Sequence, residues 1–124
     1  MTEPSYHYDQ ESDTLYISFA PGKHVTGIEL TDHILLRINQ QEQQVVGITL
    51  FDYTLLIQQT DVGPRSFPLV GLDPMPLPLR KMVLDILRHP PVRDILAISA
   101  YSPNLTEITP IIAVQPLVFV VSTL

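Results

Sequence analysis

The chain has no cysteine and no tryptophan among its 124 residues. Without cysteine there is no disulfide, no thiolate zinc site and no cysteine nucleophile. Basic residues are scarce: 7 Lys and Arg stand against 13 Asp and Glu, a net charge of −6. Duplex-binding proteins draw most of their affinity from counterions released at several phosphates, so nucleic acid is not an expected partner. Arg80, Lys81, Arg88 and Arg93 form one basic cluster, which reads as a solvated helix face. Long apolar runs are missing as well. Pro110 and Pro116 cut the C-terminal apolar stretch into pieces far short of the ~20 residues of a spanning helix, so no membrane is expected. Met1 to Tyr8 hold neither a basic nor an apolar run, and no secretory leader is expected there. The default location is the cytoplasm.

Several chemical signatures are also absent. No Ser sits in a Gly-x-Ser-x-Gly elbow. Pro21-Gly22-Lys23 lacks the second Gly and the Ser or Thr of a phosphate loop. His7, His24, His33 and His89 are scattered, with none of the local spacing that a zinc or iron site wants. The sequence therefore assigns no catalytic, cofactor-binding or metal-binding residue, and no cofactor.

What is present is a chain for a folded core: 45% of the residues are apolar and only 16% charged, too apolar for disorder. Its length suits one domain that buries roughly two-thirds of its unfolded surface. Leu15, Ile17 and Phe19 alternate with Thr14, Tyr16 and Ser18, which is strand periodicity. Pro21-Gly22 marks a turn. Further strands are expected over Val25 to Leu30, from Ile34 to Asn39, and from Val45 to Phe51, the last two joined by a polar loop at Asn39 to Gln44. Gly47 inside a strand signals a bulge or a close backbone approach. Leu79, Met82, Val83, Ile86 and Leu87 form one helical stripe, ended by Pro90-Pro91. Pro74, Pro76 and Pro78 predict an extended Asp73 to Leu77. Strands return from Asp94 onward: Asp94 to Tyr101 is apolar on both faces, as a central strand or a buried helical turn would be, and Glu107 to Val114 and Leu117 to Val121 read as strands. Pro110 and Pro116 confine the last two to edges or bulges. The expected fold is α+β: an antiparallel β-meander in residues 1–57 covered by one amphipathic helix, with additional C-terminal strands in residues 58–124 packed into the same globular unit.

The most distinctive stretch is Tyr8-Asp9-Gln10-Glu11-Ser12-Asp13-Thr14-Leu15-Tyr16-Ile17. Carboxylates at i, i+2 and i+4 open a calcium loop. Here Thr14 stands where that loop needs its sharp-turn Gly, and Ala20 where it needs a closing Glu. A hairpin tip whose Asp and Ser side chains cap their own turn is the simpler reading. This motif, with Glu29, Asp32 and Val46-Gly47-Ile48-Thr49-Leu50-Phe51-Asp52, resembles the bacterial family catalogued as domain of unknown function 2283. Thr49 departs from the acid more usual there. The resemblance covers residues 6–57. It implies a compact meander fold of no established activity, with an antitoxin-like role in part of the family. Nothing in residues 58–124 shares it.

Tyr6, Tyr8, Asp32 and His33 are the candidate ligand-binding residues, as tyrosines on one strand face and an acid–histidine pair at a turn. Leu117, Phe119 and Val121 are candidate interface residues, because an apolar edge strand near the chain end needs something to pair with. The leading expectation is a soluble, non-catalytic binding or assembly module, a homodimer with a possible further protein partner. The alternative is a small enzyme or small-molecule-binding protein with a cleft between the halves.

Overall fold

The computed structural model of the chain describes residues 4–22 and 24–116. The candidates Leu117, Phe119 and Val121 lie outside the described residues. The fold is α+β, mostly antiparallel strand with one main helix. Strands β1 (Ser5–Asp9), β2 (Thr14–Ser18), β3 (Val25–Thr31), β4 (Ile34–Asn39) and β5 (Gln44–Phe51) form the first sheet. All its pairings are antiparallel. The spatial order β1-β2-β5-β4-β3 differs from a simple meander. The link from β2 to β3 holds Pro21-Gly22 and does not close a hairpin. Phe19 N instead donates to Val46 O at 2.8 Å, so β5 takes the place beside β2 and β3 becomes an edge.

Alternation divides this sheet into two faces. Leu15, Ile17, Ile28, Leu30, Ile34, Leu36, Ile38, Ile48 and Leu50 point inward and are buried. The second half supplies what packs on them. A short helix α1 (Tyr53–Leu56) follows β5 directly, and a two-residue hairpin, β6 (Gln59–Thr60) with β7 (Gly63–Pro64), follows that. Strand β8 (Phe67–Pro68), a 3₁₀ turn at Val70–Leu72, helix α2 (Leu77–Leu87) and a second 3₁₀ turn at Val92–Asp94 lead to β9 (Leu96–Tyr101) and β10 (Thr109–Val114). Leu56, Leu69, Leu72, Val83, Leu87, Val92, Leu96 and Ile112 join the inward residues of the first sheet in one hydrophobic cluster. Within α2, Val83 and Leu87 are buried while Leu79, Met82 and Ile86 flank the cluster, as the stripe requires.

Two expectations change. Asp73 to Leu77 is extended only in part, at Pro76 with φ −57° and ψ 148°. Asp73 has helical φ and ψ, and α2 begins at Leu77 with Pro78 in its first turn, where a missing N–H leaves no bond unmade. Strand β10 is the centre of a separate three-stranded sheet, β8-β10-β9, not an edge. Pro110 is tolerated because its register partner is Ala100 on β9, while β8 joins only at Ile111 and Ile112. The Pro110 carbonyl still accepts from Leu69 N at 3.0 Å.

The β3 edge is closed by the first 3₁₀ turn. A Cβ built on Gly71 would collide with the backbone carbonyl of Glu29, so only glycine permits this approach. Gly71→Ala is expected to destabilise the fold by about 1–3 kcal/mol, the usual cost of overpacking. Gly27→Ala is the control: its Cβ would meet only Leu35 Cδ1 at 3.5 Å, and it should be neutral or stabilising by up to about 1 kcal/mol. Urea unfolding of the two variants separates these outcomes.

Candidate functional site

The acidic motif folds as the tip of the β1–β2 hairpin, and its polar groups have assigned work. Glu11 N donates to Asp9 Oδ1 at 3.1 Å, closing an Asx turn. Asp13 turns the chain back in the left-handed region at φ 51°, which Asp tolerates better than most residues. Its carboxylate accepts from Tyr8 Oη at 2.6 Å, Thr54 Oγ1 at 2.6 Å and Thr54 N at 3.1 Å. Its backbone carbonyl accepts from Tyr53 N at 2.9 Å. A residue forty-one positions upstream thus caps the start of α1, placing negative charge where the free N–H groups are. Tyr8 packs edge-on against Tyr53, ring centroids 6.1 Å apart.

Beside this lies a second pair. His33 Nδ1 is 3.0 Å from Asp52 Oδ2, and Phe51 N donates to His33 O at 2.9 Å. Asp52 is itself left-handed, φ 55°. The Phe67 ring lies 6.3 Å from that of His33.

The four candidates do not converge. Tyr8 serves Asp13, and His33 serves Asp52. Tyr6 lies opposite Ile17 on the edge strand β1. Asp32 lines a shallow cleft of about 530 Å³ between β3 and the Val70–Leu72 turn. A larger cleft of about 650 Å³ lies between the two halves and contains none of the four. Phe19 and Val45 line it from the first half, Ile86, His89, Pro91 and Asp94 from the second. His89 Nδ1 is 2.6 Å from the carbonyl oxygen of Asp85. Among the described residues no three His, Asp or Glu side chains gather as a metal would require. The basic cluster on α2 also loses a member: the Arg80 guanidinium donates to the carbonyls of Leu72 at 3.1 Å and Asp73 at 3.0 Å.

The outward face of the first sheet is different in kind. Its register rows run His7–Tyr16–Thr49–Leu35–Glu29 and Ser5–Ser18–Gly47–Arg37–Gly27. Tyr16 and Phe51 are 41% and 38% exposed, Leu35 is half-buried, and His7 stacks on Tyr16 at 6.0 Å. In the middle lies Arg37. Its guanidinium rests on Gly47, where a Cβ would strike it and would also stand 2.6 Å from the Ile17 carbonyl. Gly47 therefore serves a close approach, and the register also shifts between Arg37 and Ile38. Arg37 Nε is buried with no hydrogen-bond partner; a buried donor left so costs about 1–3 kcal/mol. The sequence hid this residue, because a polar side chain alternating with apolar ones looks like any solvated strand position.

The first half is thus a compact antiparallel sheet unit closed by a buttressing carboxylate. Residues 5–53, a segment of the chain, match the family described as Protein of unknown function (DUF2283). The match ends at Tyr53, the residue whose N–H Asp13 holds. No curated protein and no solved structure matches the chain.

Asp13 gives the site a pH signature. The Thr54 hydroxyl, and next the Tyr8 hydroxyl, hold its carboxyl below the ordinary 3.8. The same bond to Asp13 pushes the Tyr8 phenol above 10.0. A carboxylate with a depressed folded pKa contributes stability that is complete above its unfolded value and lost as pH falls through the folded one. The melting temperature should therefore drop more steeply below pH 3.8 in the wild type than in Asp13→Asn. The two curves should run parallel above about pH 5. Equal slopes throughout would remove Asp13 from this role.

Proposed function

We propose that the chain is a non-catalytic assembly module of the bacterial cytoplasm, working as a homodimer through the open face of its first sheet. The observation that carries this reading is Arg37. A half-buried guanidinium laid on a glycine, with no ion-pair partner among the described residues and with exposed apolar neighbours, suits a surface completed by a partner that meets its outer N–H groups. The motif residues with chemical potential support it from the other side, since Tyr8, Asp13, His33 and Asp52 are engaged with one another or with α1. The face would equally serve the heterologous protein that an antitoxin-like role demands. A pull-down from the native host that recovers only this chain would count against that variant. Light scattering at micromolar concentration tests the dimer, with an expected mass twice the 13.9 kDa of the chain; a monomer overturns the assembly reading.

One observation favours a second reading, a small-molecule site in the cleft between the halves. If His89 Nδ1 carries the proton shared with the Asp85 carbonyl, Nε2 is left as a base or acceptor on an apolar-lined cleft with Asp94 in its wall. Under this reading a cationic aromatic fragment should raise the melting temperature of the wild type and not of His89→Ala. No shift with any fragment of that class would sink it.

A further inference from the structure

Resting on the assembly reading, we propose that two copies pack outer face to outer face about a twofold axis, with Arg37 of each chain paired to Glu29 of the other. Glu29 is exposed and lies on the same face as Arg37, one strand and one row away. No ion pair joins the two within the chain, and neither side chain has a hydrogen-bond partner among the described residues. Among the described residues up to Tyr53, Arg37 is the single Lys or Arg, amid seven Asp and Glu. The anion it lacks is thus what this surface presents in excess; the register places Asp9 and Glu29 on that face, and Asp9 is taken up by the hairpin tip, where it accepts from Glu11 N, which leaves Glu29.

A closed dimer requires a self-complementary patch, and the register permits a test of this one. Strands stand about 4.8 Å apart and same-face rows about 6.8 Å apart. On that flat lattice, one in-plane axis lays Arg37 over Glu29 of the second copy. The same operation lays Tyr16 over Phe51 of the second copy, although neither residue entered the choice of axis. Leu35 and Gly27 fall within about 2 Å of the axis, so each faces its own mate; Thr49 lies as near but is buried within the chain. Leu35 there is an apolar contact, half-buried in the single chain. The strands of the two sheets would cross at about 70°, nearer the orthogonal than the aligned mode of sheet packing.

Charge reversal on the full chain decides the matter. In Arg37→Glu both copies of the pair become acid against acid, and in Glu29→Arg both become base against base. Each variant alone should raise the dimer dissociation constant about a hundredfold or more and sediment as a monomer with an unchanged circular dichroism spectrum. An equimolar mixture of the two restores both pairs in a heterodimer and should sediment again at twice 13.9 kDa. A mixture that stays monomeric overturns the pairing. A wild-type dimer indifferent to both reversals overturns this face while leaving assembly standing. A wild-type monomer overturns both.

Discussion

The carboxylate of Asp13 is the constraint on which the arrangement of this molecule depends. It accepts from Tyr8 on one strand and from Thr54 at the start of α1, and so fastens the tip of the first hairpin to the exit of the last strand of the sheet. The C-terminal end of the matched segment, Tyr53, is held there. The backbone bond from Tyr53 N to Asp13 O fixes where the chain leaves β5, and the left-handed turn at Asp52 swings it toward the inward face. The second half then returns over that face. Leu56, the first residue past the turn to be fully buried, already belongs to the common core. A carboxylate that resembles a metal ligand in sequence is a helix cap and a hinge pin in the fold.

That geometry makes the two faces of the sheet unequal. Burial of a Leu or Ile side chain contributes on the order of 1.5–3 kcal/mol, and the inward face of the first sheet collects nearly all of its share from one contiguous cluster. The outward face keeps apolar residues that the chain does not use for its own core. A solvated face of an antiparallel sheet ordinarily alternates to polar residues. Tyr16, Leu35 and Phe51 break that expectation in one patch, and Arg37 lies within it.

The strands of the first half and the helical stripe were legible because periodicity is local. Ile34 to Asn39 and the Leu79 to Leu87 stripe needed no partner to be recognised. Strand order was not legible: it turns on Phe19 bonding to Val46, a contact between residues whose local patterns allow several neighbours. The Asp13–Thr54 contact escaped for the same reason, since forty-one residues separate its ends and neither looks unusual alone. Gly47 was readable as a close approach, but not what approached it. The prolines have more latitude than their local rules allow. Pro78 is placed where a helix has a spare N–H, and Pro110 where the ladder to β8 has not yet begun. Both depend on the register of other elements.

Arg37 joins these themes. A hydrophobic side chain at this position would lie on Gly47 without leaving any donor unmet, and would enlarge the apolar patch. The guanidinium is costlier to the isolated chain, and the glycine beneath it forgoes a side chain on a buried central strand, itself a loss of about 0.5–1 kcal/mol. Two sacrifices at adjacent positions make physical sense if the charge acts on something outside the chain. An ion pair within an apolar interface adds little net affinity over a hydrophobic pair, but it rejects every register in which the charge is left unpaired. On a face where Tyr16, Leu35 and Phe51 could slide against many apolar surfaces, a single fixed cation and a single offset carboxylate select one docking.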